Sequence, residues 1–381
     1  MLKQFKLQEY QLDSYLLFAE KALDVVKKQG LVGIIIPNTW LLNLLSSRIR
    51  KHIFDNSQIV RIVHYRYPVF RDATVDTEVV IFRASEPEEK HQVQLVIVAK
   101  DGTSEEYRIP QSRWRAGDGR PVNIFVRPEF TSLADKLAGF PLLDALCVIT
   151  QGSKPFQVGK GNPRQTQKIV DEKPFISNER RDSSFRPLLR GSLIQKYNIL
   201  WNKDYWISFG DWLAEPRYSA QYDAPAQIVI RQTGDALVAT LDTEQFIVRD
   251  NLYTIVPRAD NNVNLSYVLG LLNSRFLNWC YQNILNPEKG EALAQVKRGH
   301  LTKLPFPPID LSEPKDKIRH DKMVSLVEQM LSLNKQLAGA KTDQEKTALQ
   351  RQIDLTDKQI DRLVYELYEL TEEEIRIVEG A

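Results

Sequence analysis

Apolar positions recur along the chain in two rhythms. Leu16, Leu17, Ala19, Leu23 and Val26 fall near a 3.6-residue spacing, so the segment from Asp13 reads as an amphipathic helix. Gly30 stands where a helix C-cap belongs. The unbroken apolar run Leu31–Ile36 then has the pattern of a strand covered on both faces. A second amphipathic stretch, LLSSRIRKHIFDN, leads to the strand IVRIVHYR, and TEVVIFRAS reads as a last strand. Further on, VQLVIVAK and EEYRIP form a β-rich pair joined by Asp101-Gly102, and RWRAGDGRPVN has the composition of a boundary loop.

A helix over 133–143 opens the next part. Between Gly152 and Pro305 the pattern is mixed: AQIVIRQT, ALVATL and FIVRDNLYTIVP as strands, then SYVLGLLNSRFLNWCYQNI as a helix. Two Pro-containing stretches, KLPFPPID and SEPKD, close it. Leu326, Met330, Leu333 and Leu337 form one helical stripe. Leu349, Ile353, Ile360, Leu363, Leu367 and Leu370 form another, and GAKTDQ is the turn of an antiparallel hairpin. The expected division is 1–110, a connector 111–150, a domain 151–309 and a helical tail 310–381.

With 381 residues, 43% hydrophobic and 26% charged, the chain is long enough for more than one domain with its own core. No run approaches the roughly 18 apolar residues of a membrane span. Cys147 and Cys280 are the only cysteines, which fits a reducing cytoplasm, and neither they nor the five scattered histidines show metal-ligand spacing. No structural metal is expected. The net charge of +2 conceals a segregation. Residues 151–203 hold 11 Lys and Arg against 4 Asp and Glu, and residues 310–381 hold 11 against 16. The first suits a polyanion; the second suits a solvated helical tail or a protein contact.

That basic segment carries QGSKPFQVGKGNPRQT and NERRDSSFRPLLRGSLIQKY. Glycines and Asn162-Pro163 let a backbone approach a ligand closely. Lys154, Lys160, Arg164, Arg186, Arg190 and Lys196 are its candidate phosphate contacts, with Lys297 and Arg298 later in the domain. Arg231, Gln232 and Thr233 end an apolar strand, and Arg and Gln are the side chains suited to bidentate reading of guanine and adenine. The plainer readings are a solvated charged face and an internal Arg bonded to carbonyls. Phe70, in PVFRDATVDTEVVIFR, sits after a strand, where a ring can plug the end of a sheet or stack on an extruded base. GKGNP lacks the spacing of a phosphate-binding P-loop.

Eight segments occur here in the order found in one group: DSYLLFAEKALDVVKKQGLVGIIIPNTWL, VFRDATVDTEVVIF, GKGNPRQT, FRPLLRGSLIQKY, IRQTGD, LGLLNSRFLNW, LTKLPFPPI and IDRLVYELYELTEEEIRIVE. The chain resembles the C-terminal half of an Eco57I-type N6-adenine DNA methyltransferase of restriction-modification systems. From Gly152 onward it resembles that group's TaqI-like target-recognition domain. The resemblance implies an α/β partial methyltransferase sheet of Rossmann-like type, then an α+β recognition domain and a helical hairpin. It implies double-stranded DNA as partner, S-adenosylmethionine in the complete enzyme, and a bacterial or archaeal cytoplasm. It matches Phe70 to the aromatic that stacks on the flipped adenine.

The family's Asn-Pro-Pro-Tyr motif and glycine-rich cofactor loop are not in this sequence; Pro37-Asn38 lacks the catalytic order. No catalytic or cofactor-binding residue is therefore expected in the chain. It is expected to be inactive alone, and a missing N-terminal methyltransferase or nuclease part is expected as a partner. The alternative is a non-enzymatic specificity subunit that recruits a methylase in trans. A third reading is an unrelated α/β enzyme whose sheet closes with the strands at 93–109.

Overall fold

In the computed structural model, which describes residues 5–7, 9, 13–70, 77–119, 122–261, 263–286 and 294–380, the chain forms two compact units, Met1–Thr131 and Ser132–Ala381. The first begins with α1 (Ser14–Val25) and β1 (Leu31–Pro37). A short α2 (Thr39–Leu42), α3 (Ser47–Asn56), β2 (Gln58–Tyr65) and β3 (Thr77–Arg83) follow. β4 (Gln92–Val98), β5 (Ser104–Pro110) and α4 (Ser112–Ala116) complete it. The five strands make one sheet in the order β1-β3-β2-β4-β5. β3 is antiparallel to both β1 and β2, so those two run in the same direction, and β4 lies parallel to β2.

Two expectations are corrected here. TEVVIFRAS is an interior strand, because β3 lies between β1 and β2 and carries apolar residues on both faces. The strands of 92–110 extend the same sheet, but on the β2 side, so among the described residues β1 is an edge strand. Residues 112–119 and 122–125 also belong to this unit rather than to a loop between units. Trp114 lies 5.4 Å from the Phe54 ring, Val122 N donates to Leu41 O, and Ile124 is buried. Burying that much apolar surface outweighs the turn-forming composition around it.

Buried Arg50 ties α3 to the turns around it. Its Nε donates to Gly119 O (2.9 Å) and its Nη1 to the carbonyls of Trp40 and Asn43. Burial pushes its guanidinium down to about 10.

The second unit starts with α5 (Thr131–Leu137), α6 (Leu143–Leu146) and β6 (Cys147–Gln151). Then come α7 (Gln167–Glu172), β7 (Ile176–Ser177), β8 (Phe185–Leu189), β9 (Ile194–Gln195), β10 (Asn198–Ile199) and β11 (Trp206–Ser208). β12 (Gln227–Arg231), β13 (Ala239–Asp242), β14 (Ile247–Val248) and β15 (Leu252–Pro257) finish the strands. They form two four-stranded sheets, β14-β8-β11-β7 and β13-β12-β15-β6, beside the pair β10-β9. Leu188, Ile207, Val229, Ile247 and Leu252 share their core.

α8 (Leu265–Asn273) and α9 (Arg275–Cys280) carry the expected apolar helix, and α10 (Arg298–Leu301) follows. The tail is α11 (Pro314–Gly339), α12 (Asp343–Leu367) and a separate α13 (Glu372–Glu379) that starts at a Thr371 capping box. α11 does not stand apart as a free arm. Gly270 of α8 has room for no side chain because Met323 and Val327 of α11 press against it. Both cysteines are buried, and no described helix is long and apolar enough to cross a membrane.

Candidate nucleic-acid interface

In the first unit, the strand period places His64 on the inward face of β2 with Ile62, and Glu78 on that of β3 with Val80 and Phe82. Ile36, Glu78 and His64 lie opposite one another in register near the carboxyl ends of β1 and β2. There a buried polar group forms. Trp40 Nε1 donates to Glu78 Oε2 at 2.9 Å, and His64 Nδ1 lies 3.2 Å from Glu78 Oε1. Phe125 packs edge-on against His64, with the Arg66 guanidinium above its ring. Sequence reasoning missed this group. The only signal was one His and one Glu in phase with the buried apolar positions of their strands.

Beyond β2 the chain leaves this floor at the carboxyl edge. Phe70 is 48% exposed, next to Val69, and does not plug the sheet. Residues 71–76, which follow it and lead to β3, lie outside the described residues.

In the second unit, the GKGNP loop is pre-shaped from within. Gln165 Oε1 accepts from Gln157 N, while its Nε2 donates to Pro155 O and Trp212 O. Gly161 holds φ +85°, and a Cβ there would sit 2.6 Å from Trp212 O. Lys160 and Arg164 are left exposed on this rigid loop. Replacing Gly161 with Ala is expected to cost about 1–3 kcal/mol by strain and to lower DNA affinity, read from a thermal melt and an anisotropy titration.

Further stretches of the second unit converge. Gly191 N donates to Asn251 Oδ1 (3.3 Å), and a methyl on Gly191 would come within 3.5 Å of Thr233 Oγ1. The Arg190 guanidinium lies 4.8 Å from the centre of the Tyr205 ring, whose hydroxyl accepts from Arg249 Nη1 at 3.3 Å. Residues 294–296 add to the end of β12: Val296 N donates to Gln232 O, Gly234 N to Ala294 O, and Thr233 bridges Gln295. Gln232 Nε2 lies 3.4 Å from Gln295 Oε1, and exposed Lys297 and Arg298 follow. Arg217 bonds Glu215 and, through Nη1, Gly152 O. With Lys154 and Lys160 nearby, that bond holds the Glu215 carboxyl below its usual range. Burial raises Tyr253, which faces Arg217 and Arg298.

The candidates from sequence therefore divide. Lys160, Arg164, Arg190, Lys297 and Arg298 are exposed, and Gln232 and Thr233 meet beside Asn251 and Gln295. Lys154 Nζ donates to Gln157, and Arg231 keeps a buried Nε without a hydrogen bond. Arg186 has structural work: it bonds the carbonyls of Tyr222 and Gln245 and pairs with Asp223. Lys196 Nζ is spent on Asn273 O at 2.8 Å. Sequence reasoning passed over Arg217, Tyr205, Arg249, Asn251 and Gln295, because only the folding of separate loops brings them to this face. Among the described residues no group of three or more His, Cys, Asp or Glu is placed to hold a metal ion.

The fold is mixed α/β with several sheets, as in restriction-modification enzymes. The DNA-bound type IIL restriction-modification enzyme MmeI superposes with a TM-score of 0.53 at 13% identity, over 99% of this chain and 53% of that one. Residues 2–70 match the model of the Eco57I restriction-modification methylases, and residues 186–306 match that of the TaqI-like C-terminal specificity domain. The resemblance read from the sequence is borne out: one segment of the chain is similar to the Eco57I restriction-modification methylases and another to the TaqI-like specificity domain. A curated type II restriction enzyme and methyltransferase of Methanocaldococcus jannaschii is 22% identical over 279 residues, 71% of this chain and 22% of that protein. The chain thus spans about a fifth of the curated relative it matches and about half of MmeI.

Proposed function

We propose that the chain is the DNA-recognition part of an adenine-N6 DNA methyltransferase of a restriction-modification or phage-defence system, and that it contributes the base-stacking ring of the active site. The observation that carries this reading is Phe70. It is exposed at the carboxyl edge of the sheet, where the segment matched to the Eco57I methylases ends. A target base must leave the duplex to be modified, and a flat apolar surface lowers the cost of holding it out. The exposed cations of the second unit would fix the duplex through its phosphates, while Gln232 and Gln295 would meet base edges.

By the resemblance, the methyl donor of the complete enzyme is S-adenosylmethionine. We expect no place for it among the described residues of the first unit. Gly30 closes a turn against Val26 and Lys27, and Gly33 lies inside β1, so neither belongs to a glycine-rich turn between a strand and a helix. No cofactor residue is assigned in this chain. Calorimetry on the chain alone is expected to show no saturable micromolar uptake of S-adenosylmethionine.

Phe70→Ala tests the reading in the complete enzyme. Base–aromatic stacking is worth roughly 1–3 kcal/mol, so methylation should slow about tenfold to a hundredfold. Binding of ordinary duplex should barely change, and Phe70→Trp should retain activity. A 2-aminopurine at the target position reports the flipped base directly. An unchanged rate and signal in Phe70→Ala would leave the ring as packing and favour a specificity subunit that recruits a methylase in trans.

A further inference from the structure

Two carboxamides of the second unit are bonded to each other: Gln232 Nε2 lies 3.4 Å from Gln295 Oε1. The backbone beneath them is a short two-stranded ribbon. Thr233 bridges Gln295, Val296 N donates to Gln232 O at 2.7 Å, and Gly234 N donates to Ala294 O at 3.1 Å. Both strands of the ribbon are tied down from behind. Gln232 N donates to Asn251 O at 3.0 Å, and the hydroxyl of buried Tyr281 donates to Gln295 O at 3.2 Å. Val296 is buried, Gln232 is half-buried, and Thr233 and Gln295 are exposed. A two-stranded β-ribbon is narrow enough to enter the major groove of B-DNA. Exposed Lys297 and Arg298 follow Gln295 on the same strand, so cations suited to the flanking phosphates stand beside the pair.

A lone glutamine can turn its amide to offer either oxygen or nitrogen to a base. In a bonded pair, one amide spends a donor and the other an acceptor on the contact between them. The pair is left with a carbonyl oxygen from one residue beside an amide N–H from the other. Turning both amides over exchanges their roles and leaves the same set. In the major groove adenine presents an acceptor, N7, next to a donor, its 6-amino group. Guanine presents two acceptors, cytosine a donor, and thymine an acceptor with a methyl group. Resting on the function proposed above, we propose that Gln232 and Gln295 act as one composite reader of a single adenine in the target duplex. This adenine stays stacked and is not the base received by Phe70. Guanine is rejected because its O6 would face the carbonyl oxygen of the pair, lone pair against lone pair. The bond between the amides, set on an anchored ribbon, holds donor and acceptor in place before DNA arrives and so lowers the ordering cost of recognition.

The test is selection of duplexes from a randomised library by the full chain, followed by sequencing. The wild type is expected to enrich a motif with an adenine preferred over the other bases by about tenfold to a hundredfold. Gln232→Ala and Gln295→Ala should each erase the preference at that same position and leave the other positions as they were. Gln295→Glu replaces the donor with an acceptor, so the position should shift towards cytosine. Within the selected duplex, 7-deazaadenine removes N7 and purine removes the 6-amino group. Each analogue should weaken wild-type binding about tenfold and hardly affect the Gln232→Ala, Gln295→Ala double variant. Thermal melts check the folding of the variants, and the analogue comparison in the wild type needs no variant. Preferences lost at different positions in the two variants overturn the composite reader. So does a wild type indifferent to both analogues, or an affected position that is not adenine. Duplex binding with no preferred sequence overturns it as well, while leaving DNA as the partner. A chain that binds no duplex overturns the functional reading beneath it, and the base assignment with it.

Discussion

Raising the salt from about 50 to about 200 mM is expected to weaken duplex binding by this chain about a thousandfold. Contact with about six phosphates releases enough counterions to give a log–log slope near −5. Exposed cations are available for such contacts: Lys160 and Arg164 on the rigid loop, Arg190 beside Tyr205, and Lys297 and Arg298 after the added strand. Neutralising Lys160, Arg164 or Arg190 singly should reduce the slope by about one and weaken all sequences alike. Arg186→Ala should act otherwise. Its guanidinium bonds the carbonyls of Tyr222 and Gln245, so its loss should lower the melting temperature with little effect on the slope. Fluorescence anisotropy across salt concentrations measures both. A wild-type slope near zero would remove DNA from the reading.

Trp40→Ala is expected to cost the first unit about 3–5 kcal/mol, the range for deleting a buried large aromatic. Trp40 is fully buried, its ring centre is 5.9 Å from that of Phe54, and its indole N–H satisfies buried Glu78. Trp40→Phe separates the two contributions. It keeps an aromatic ring but leaves Glu78 Oε2 without its donor, for a smaller cost of about 1–3 kcal/mol. Chemical denaturation of the chain compares the variants, and a loss near zero in Trp40→Phe would show that the indole N–H contributes nothing. Because Glu78 also faces His64, one register position from the end of β2, Trp40→Phe should in addition loosen the start of the segment that carries Phe70.

Much of the architecture was legible in the sequence because it rests on local period. The stripe in α1, the apolar runs of β1 and β3 and the two tail stripes each identify an element without reference to the rest of the chain. Strand order was not legible. Nothing within TEVVIFR says that it lies between β1 and β2, since that depends on which neighbours cover its two faces. The limit of the first unit was misplaced for a related reason. RWRAGDGRPVN looks like a loop residue by residue, yet Trp114 within it reaches Phe54, far back in the chain.

The candidate interface divides along the same line. Composition alone set the charge of residues 151–203, because charge is a sum over residues and needs no geometry. Which cations remain exposed was decided only by folding. Arg186 and Arg190 are four residues apart and chemically identical, yet the first turns onto backbone carbonyls while the second stays exposed above Tyr205. The sequence by itself determined the elements, the charge segregation and the family likeness, which all reside in short stretches of chain. Tertiary structure alone decided the edge position of β1 among the described strands, the buried Trp40–Glu78–His64 group and the meeting of Gln232, Asn251 and Gln295, since each requires residues distant in sequence to share one place.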